Sequence, residues 1–243
     1  MRTIYEEIIK SKTEAKKLLA ILLDPDKIEI KTIDLLLLKI NQSFATHIFV
    51  GGSEVNTTIL DELIATIKQK SDLPIVLFPG NPSQISKNAD AILFLSLISG
   101  RNTDYLIEHQ INAVPSLSKA NLEIISTGYI LIESGTETAV ERVSKTKPLD
   151  RNAIDFVAQT ALAGEYLGNK MIYLEAGSGA KLAVSPQMIQ KVATAISIPL
   201  IVGGGIRSKQ AIENAYIAGA DLVVIGTAFE NNMDFFNNDA VLK

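Results

Sequence analysis

Eight short apolar, β-rich runs, at 19–23, 47–50, 74–78, 91–95, 129–132, 171–174, 200–202 and 222–225, predict a TIM-type (β/α)8 barrel. Two further observations agree. Most runs are followed by amphipathic stretches with helix-start residues, and 243 residues is an ordinary length for one closed barrel of eight units. Strands that read as continuous hydrophobic runs are buried on both faces, as in a parallel sheet covered by helices. One domain spanning 1–243 is the expectation.

Each element has its own justification. Residues 1–17 are charged and predict a helix that lacks the apolar centre of a secretory signal. Asp150 ahead of 151–166, Ser185-Pro186 ahead of 187–195 and Ser208 ahead of 209–218 supply helix starts. A side-chain oxygen at such a position accepts an amide proton that the first turn leaves free, and proline fits the first turn because it has no amide proton to leave unpaired. Between Phe78 and Ala91 stand only Pro79-Gly80-Asn81-Pro82 and a few polar residues, too few for a helix and its two loops. The third helix is therefore expected to be missing or replaced by an extended segment, leaving a slot in the helical ring beside the barrel mouth. Polar, threonine-rich 134–148 reads as a loop or lid. The apolar stretch 33–38 suits either a subunit contact in a homo-oligomer or packing against the barrel.

Composition removes several classes of function. A net charge of −4, from 23 basic and 27 acidic residues mixed along the chain, gives no electrostatic footprint for nucleic acid. Any anion site must be local. Apolar residues make up 47% of the chain, and the mean hydropathy is +0.22. Even so, the longest apolar runs, 18–23 and 91–98, fall well short of the roughly 18 residues a spanning helix needs. No transmembrane segment is expected, and cytoplasmic residence follows. The absence of cysteine excludes disulfides, zinc–thiolate sites and thiol catalysis.

In this fold chemistry sits after the C-terminal ends of the strands. Three such ends are glycine-rich: Glu175-Ala176-Gly177-Ser178-Gly179, Gly203-Gly204-Gly205 and Gly226-Thr227. Without a Cβ, backbone amides can approach an anion closely, and a following helix start adds partial positive charge. One such loop might only turn the chain; three neighbouring loops with the Ser178 and Thr227 hydroxyls favour a phosphate site. Strand one ends in Asp24 and strand two in Gly51-Gly52-Ser53. One carboxylate beside a hydroxyl suits Mg²⁺, which keeps waters and takes its other ligands from substrate phosphates; Asp24 and Ser53 as turn and helix caps is the alternative. Glu175, next to the glycines, is either a general base for a hydroxyl of the bound phosphate ester or one half of a rim ion pair with Arg207. Tyr173 is a barrel filler or a substrate ligand, and Arg101-Asn102 a diphosphate contact or a solvated turn. His47 at the start of strand two and His109 in an outer helix are poorly placed for catalysis.

The motifs LLDPDK (22–27), FVGGS (49–53), FPGNPSQIS (78–86), SLISGRN (96–102), GYILIESG (128–135), YLEAGSGA (173–180), IVGGGIRS (201–208) and DLVVIGT (221–227) together resemble the geranylgeranylglyceryl phosphate synthase family, prenyltransferases that form the first ether bond of isoprenoid lipids. The resemblance implies that Asp24 and Ser53 bind Mg²⁺. It also implies that Tyr173, Leu174, Glu175, Ala176, Gly177, Ser178 and Gly179, with Gly204, Gly205, Gly226 and Thr227, hold sn-glycerol 1-phosphate, and that a polyprenyl diphosphate is the second substrate. Leu22 stands where the heptaprenyl-using branch has lysine, which implies the geranylgeranyl donor. A phosphosugar isomerase or cyclase barrel, a flavin-phosphate site or a non-catalytic phosphate binder would share the glycine loops but leave YLEAGSGA and FPGN unexplained.

Overall fold

The structure, a computed structural model, describes residues 3–28, 33–52 and 57–236. Along the chain run α1 (Ile4–Thr13), β1 (Leu18–Leu23), α2 (Ile33–Asn41), β2 (His47–Val50), α3 (Thr57–Lys70), β3 (Ile75–Leu77), β4 (Ala91–Leu97), a π-helical turn (Asp104–Glu108) leading into α4 (His109–Leu117), and β5 (Glu123–Leu131). There follow α5 (Ala139–Ser144), α6 (Ile154–Tyr166), β6 (Met171–Glu175), α7 (Pro186–Ala195), β7 (Leu200–Gly203), α8 (Lys209–Ile217), β8 (Leu222–Ile225) and α9 (Thr227–Asn231). The strands pair in parallel in sequence order, and β8 closes on β1 to complete the barrel. No helix among the described residues is long and apolar enough to cross a membrane.

The two-residue period of each strand sorts its side chains into two cores. Leu18, Ala20, Phe49, Val76, Leu93, Tyr129, Tyr173, Ile201 and Val224 pack inside the barrel. Their neighbours Leu19, Ile21, Leu23, Ile48, Leu77, Ile172, Leu174, Val202 and Val223 face outward under the helices. The N-terminal mouth is closed by α1. Its capping box pairs Thr3 with Glu6, the amides of Ile4 and Tyr5 donate to the Glu123 carboxylate at the start of β5, and Ile8 joins the inner core.

His47 lies buried at this stable end, 2.8 Å from the Thr46 hydroxyl through Nδ1, with Nε2 unpartnered. Burial pushes its pKa from 6.5 down to about 4. The folded chain therefore resists a proton that the unfolded chain accepts, so stability is lost as the pH falls from about 6.5 towards 4. Between pH 7 and 4.5 His47 should cost about 2–3 kcal/mol. Urea unfolding of wild type and His47→Leu at both pH values checks this, the expected outcome being a smaller acid loss in the variant.

Several expectations need correction. β5 begins at Glu123 rather than 129. Its polar residues are satisfied locally, Thr127 donating to the Ile125 carbonyl and Ser126 to Asn169, so a half-polar segment holds a central place in the sheet. Helix α6 starts at Ile154, not 151, because Asp150 closes a turn of its own by accepting the Asn152 and Ala153 amides. Segment 134–148 is not all loop, since it carries α5, capped by Thr138. In 33–38 the face is split: Ile33, Leu36 and Leu37 are buried, while Leu35 and Leu38 are exposed. The connection of residues 79–90 from β3 to β4 carries no helix, as its length requires.

Candidate active site

Strand parity builds the centre of the site. On β6, Tyr173 and Glu175 point into the barrel, with Glu175 at the upper end opposite Leu131 of β5 and Gly203 of β7. Glu175 is 5% exposed, and its Oε1 accepts the Gly177 amide at 2.6 Å. Burial pushes its pKa up to about 7, with the Gly177 amide and the Tyr173 hydroxyl only partly offsetting this. The result is a carboxylate poised to exchange a proton near neutrality. Arg207 is not its partner; the guanidinium instead donates to the Ala180 carbonyl at 2.6 Å and ties the loop after β6 to the loop after β7.

Below Glu175 lies an aromatic floor. Tyr173 is fully buried and stacks on Phe78, with ring centres 5.3 Å apart, while Tyr129 meets it edge-on at 5.4 Å. The Tyr173 hydroxyl reaches towards Glu175 but forms no well-aligned hydrogen bond. A Cβ on Gly203 would strike that hydroxyl, which is why the strand facing it carries glycine here.

The three glycine loops converge around one cavity of about 820 Å³, counted out to its open rim. Tyr173, Glu175, Gly177, Ser178, Gly179, Gly204, Gly205, Gly226 and Thr227 all line it, as does Asp24. Gly177 and Gly204 have φ of +97° and +79°, a backbone conformation that side-chain-bearing residues rarely adopt. A Cβ on Gly204 would collide with Glu175 and the Gly177 amide, and one on Gly177 with Thr138 of the lid. Above Gly179 nothing lies within 4 Å, which leaves room for a ligand against the main chain. Two residues expected in the cradle are not part of its lining: Leu174 and Ala176 pack into the outer core, and the Ala176 amide is spent on the Gly203 carbonyl at 3.0 Å. Alternation along β6 turns Leu174 away from its neighbours in the motif.

Asp24 stands across the cavity at the end of β1. Its Oδ1 accepts the Asp26 amide at 3.2 Å and its Oδ2 lies 3.0 Å from the Lys27 ammonium. Gly52, at the end of β2, packs flat against this carboxylate, a Cβ there falling 2.5 Å from Oδ1. Ser53, the other expected metal ligand, lies outside the described residues. Among the described residues no three His, Asp or Glu side chains converge as a metal cage. The donor set nevertheless fits magnesium, which needs one or two hard carboxylate oxygens and completes its shell with water and phosphate. Glu230 on α9 also lines the cavity and reaches Lys27. The sequence reading passed over it, although its place five residues after β8 was a usable signal.

A second, apolar cavity of about 930 Å³ fills the slot left by the missing helix. The chain 78–82, Ile85, Leu93, Leu95, Tyr105, His109 and Ala113 line it, and Phe78, Tyr129 and Val140 line both cavities, so the two meet at the aromatic floor. His109 thus faces a groove rather than only solvent. Arg101 donates to the carbonyls of Ile98 and Gly100, and Asn102 to that of Ser144, which makes them turn and lid anchors in this structure.

A closed barrel whose mouth joins a main-chain anion cradle, a buried carboxylate and an apolar side groove is a phosphate-binding TIM barrel suited to an amphiphilic substrate. The chain belongs to the PcrB family, whose sequence profile matches residues 9–243. It is 64% identical over 238 residues to a geranylgeranylglyceryl phosphate synthase from Flavobacterium johnsoniae, covering 98% of both chains. It is 42% identical to the enzyme of that name from Pyrococcus furiosus, covering 93% of this chain and 90% of the relative. The crystal structure of (S)-3-O-geranylgeranylglyceryl phosphate synthase from Thermoplasma acidophilum in complex with sn-glycerol-1-phosphate superposes with a TM-score of 0.92 at 33% identity, over 98% of this chain and 95% of that one.

Proposed function

We propose that this protein is a prenyltransferase that forms an ether bond between sn-glycerol 1-phosphate and geranylgeranyl diphosphate, releasing diphosphate. The observation that carries the reading is the buried Glu175, which shares one cavity with the glycine loops and Asp24, where that cavity opens into an apolar groove. The names borne by relatives as similar as 64% support it, as does the bound substrate of the Thermoplasma acidophilum enzyme.

In this reading the glycine loops hold the phosphate through main-chain amides and so fix the glycerol hydroxyl beside Glu175, making the encounter effectively intramolecular. Glu175 takes the hydroxyl proton as the oxygen attacks the allylic C1, and the C1–O bond to diphosphate breaks with its electron pair leaving on the diphosphate. Phe78, Tyr129 and Tyr173 wall the reacting carbon off from water. The apolar groove holds the tail, where each buried CH₂ contributes about 0.8 kcal/mol. Asp24, with Ser53, would hold Mg²⁺, which when bound neutralises charge on the departing diphosphate.

Incubation of the protein with labelled sn-glycerol 1-phosphate, Mg²⁺ and prenyl diphosphates of several lengths should yield an ether lipid, with the C20 donor preferred. No product from any donor would end this reading. Asp24→Asn should raise the Mg²⁺ concentration for half-maximal rate by about tenfold or more; an unchanged titration would remove Asp24 as the ligand.

A further inference from the structure

One cation serves two anions at the cavity rim. The Lys27 ammonium lies 3.0 Å from Asp24 Oδ2 and 3.7 Å from Glu230 Oε2. The Lys27 amide also donates to the Asp24 carbonyl at 3.0 Å, so the lysine is built into the same turn as its nearer partner. The side chain of Lys27 is 49% exposed, against 20% for Asp24 and 16% for Glu230. Its head can therefore shift at little cost, while the carboxylates are the fixed points. Two carboxylates facing one cavity with a single ammonium between them leave a net negative charge, which a divalent cation would reverse.

We propose that Lys27 is a transferable counter-ion: it neutralises Asp24 before the metal arrives and passes to Glu230 when a divalent cation takes the Asp24 carboxylate. This rests on the reading of Asp24 as the magnesium ligand. The physical basis is competition. An ammonium and a divalent cation repel each other and cannot both occupy Oδ2, so the ammonium must be displaced, and Glu230 supplies a second anion within reach. Glu230 is then a positioning residue that acts through Lys27. The consequence for function is that free metal binds weakly, and that the displaced lysine remains at the rim where the diphosphate is held.

The test uses Mn²⁺ alone as the probe, with binding to the substrate-free protein read by electron paramagnetic resonance. Lys27→Met should bind Mn²⁺ about three- to fivefold more tightly, and Glu230→Gln about three- to fivefold more weakly, the scale of a partly exposed ion pair. In the double variant the Glu230→Gln effect should vanish, because Glu230 acts only through the lysine. Weaker or unchanged binding by Lys27→Met, or a full Glu230→Gln effect persisting without Lys27, overturns the proposal. Asp24→Asn separates the two layers. If it leaves Mn²⁺ binding unchanged, the magnesium reading falls and this inference with it; if it abolishes binding while the other signs are wrong, only this inference falls. Thermal unfolding of each variant in chelator confirms that all are folded.

Discussion

Replacing Glu175 by Gln is expected to lower turnover by about 10²–10⁴-fold, the range for loss of general-base help, while making the protein more stable above pH 7. Glutamine keeps the shape and can still accept the Gly177 amide, so the change isolates the proton. The two effects share a cause. Burial raises the carboxyl from 4.5 to about 7, so ionised Glu175 is a strained state of the fold. The sign is opposite to that of an ion-paired carboxylate. Below pH 4.5 the group is neutral in both folded and unfolded chains and costs nothing; the penalty grows as the pH rises to 7 and reaches about 3 kcal/mol above it. Urea unfolding at pH 8 should show that gain in the variant, and at pH 4 little of it. In the wild type kcat/KM should fall on the acid side of about pH 7, because the base must be ionised. That limb should be missing from the residual activity of the variant. Near-normal turnover by Glu175→Gln would remove Glu175 from the base role.

Gly204→Ala is expected to be nearly as damaging, through geometry rather than proton transfer. At φ +79° an alanine carries about 1–2 kcal/mol of left-handed strain. Its methyl group would also drive into the Glu175 carboxylate and the Gly177 amide, the two groups that set the cradle. A shift of about 1 Å at a reacting centre costs on the order of 10²-fold, so kcat/KM for glycerol 1-phosphate should fall by that factor or more. Binding of the prenyl diphosphate, held across the cavity, should change little. Gly168→Ala is the matched control. Its φ is +93°, but nothing lies within 4 Å of the added methyl, and it sits in the turn after α6 away from both cavities. That variant should lose stability alone, and equal loss of activity in both would reduce the Gly204 effect to backbone strain.

Strands β2 and β8 coincide with their apolar runs, 47–50 and 222–225, because both are buried on both faces and neither has polar residues to hide it. Helix starts at Ser185 and Ser208 were equally plain, since each cap is a contact between residues three apart, Ser185 with the Met188 amide and Ser208 with the Ala211 amide. β5 was only half visible. Its first residues are polar, and the bonds that make them acceptable in a sheet reach Asn169 of another unit and, through Glu123, the amides of α1. Within the site, the glycine loops and Glu175 could be read from their positions after strands. Glu230 and Lys27 gain meaning only as a pair brought together from opposite ends of the chain.

Residue order alone determined the eight-unit repeat, the absent third helix, the cradle glycines and the carboxylate beside them, because these depend on composition and spacing within a single β/α unit. Closure of the barrel decided the rest. It set Asp24 and Glu175 on one cavity, joined that cavity to the apolar groove at Phe78 and Tyr129, turned Leu174 outward despite its place in the motif, and buried Glu175 deeply enough to hold its proton near neutral pH. Burial, and the distance between groups far apart in the chain, are properties of the assembled molecule, and they turn a list of polar residues into a site.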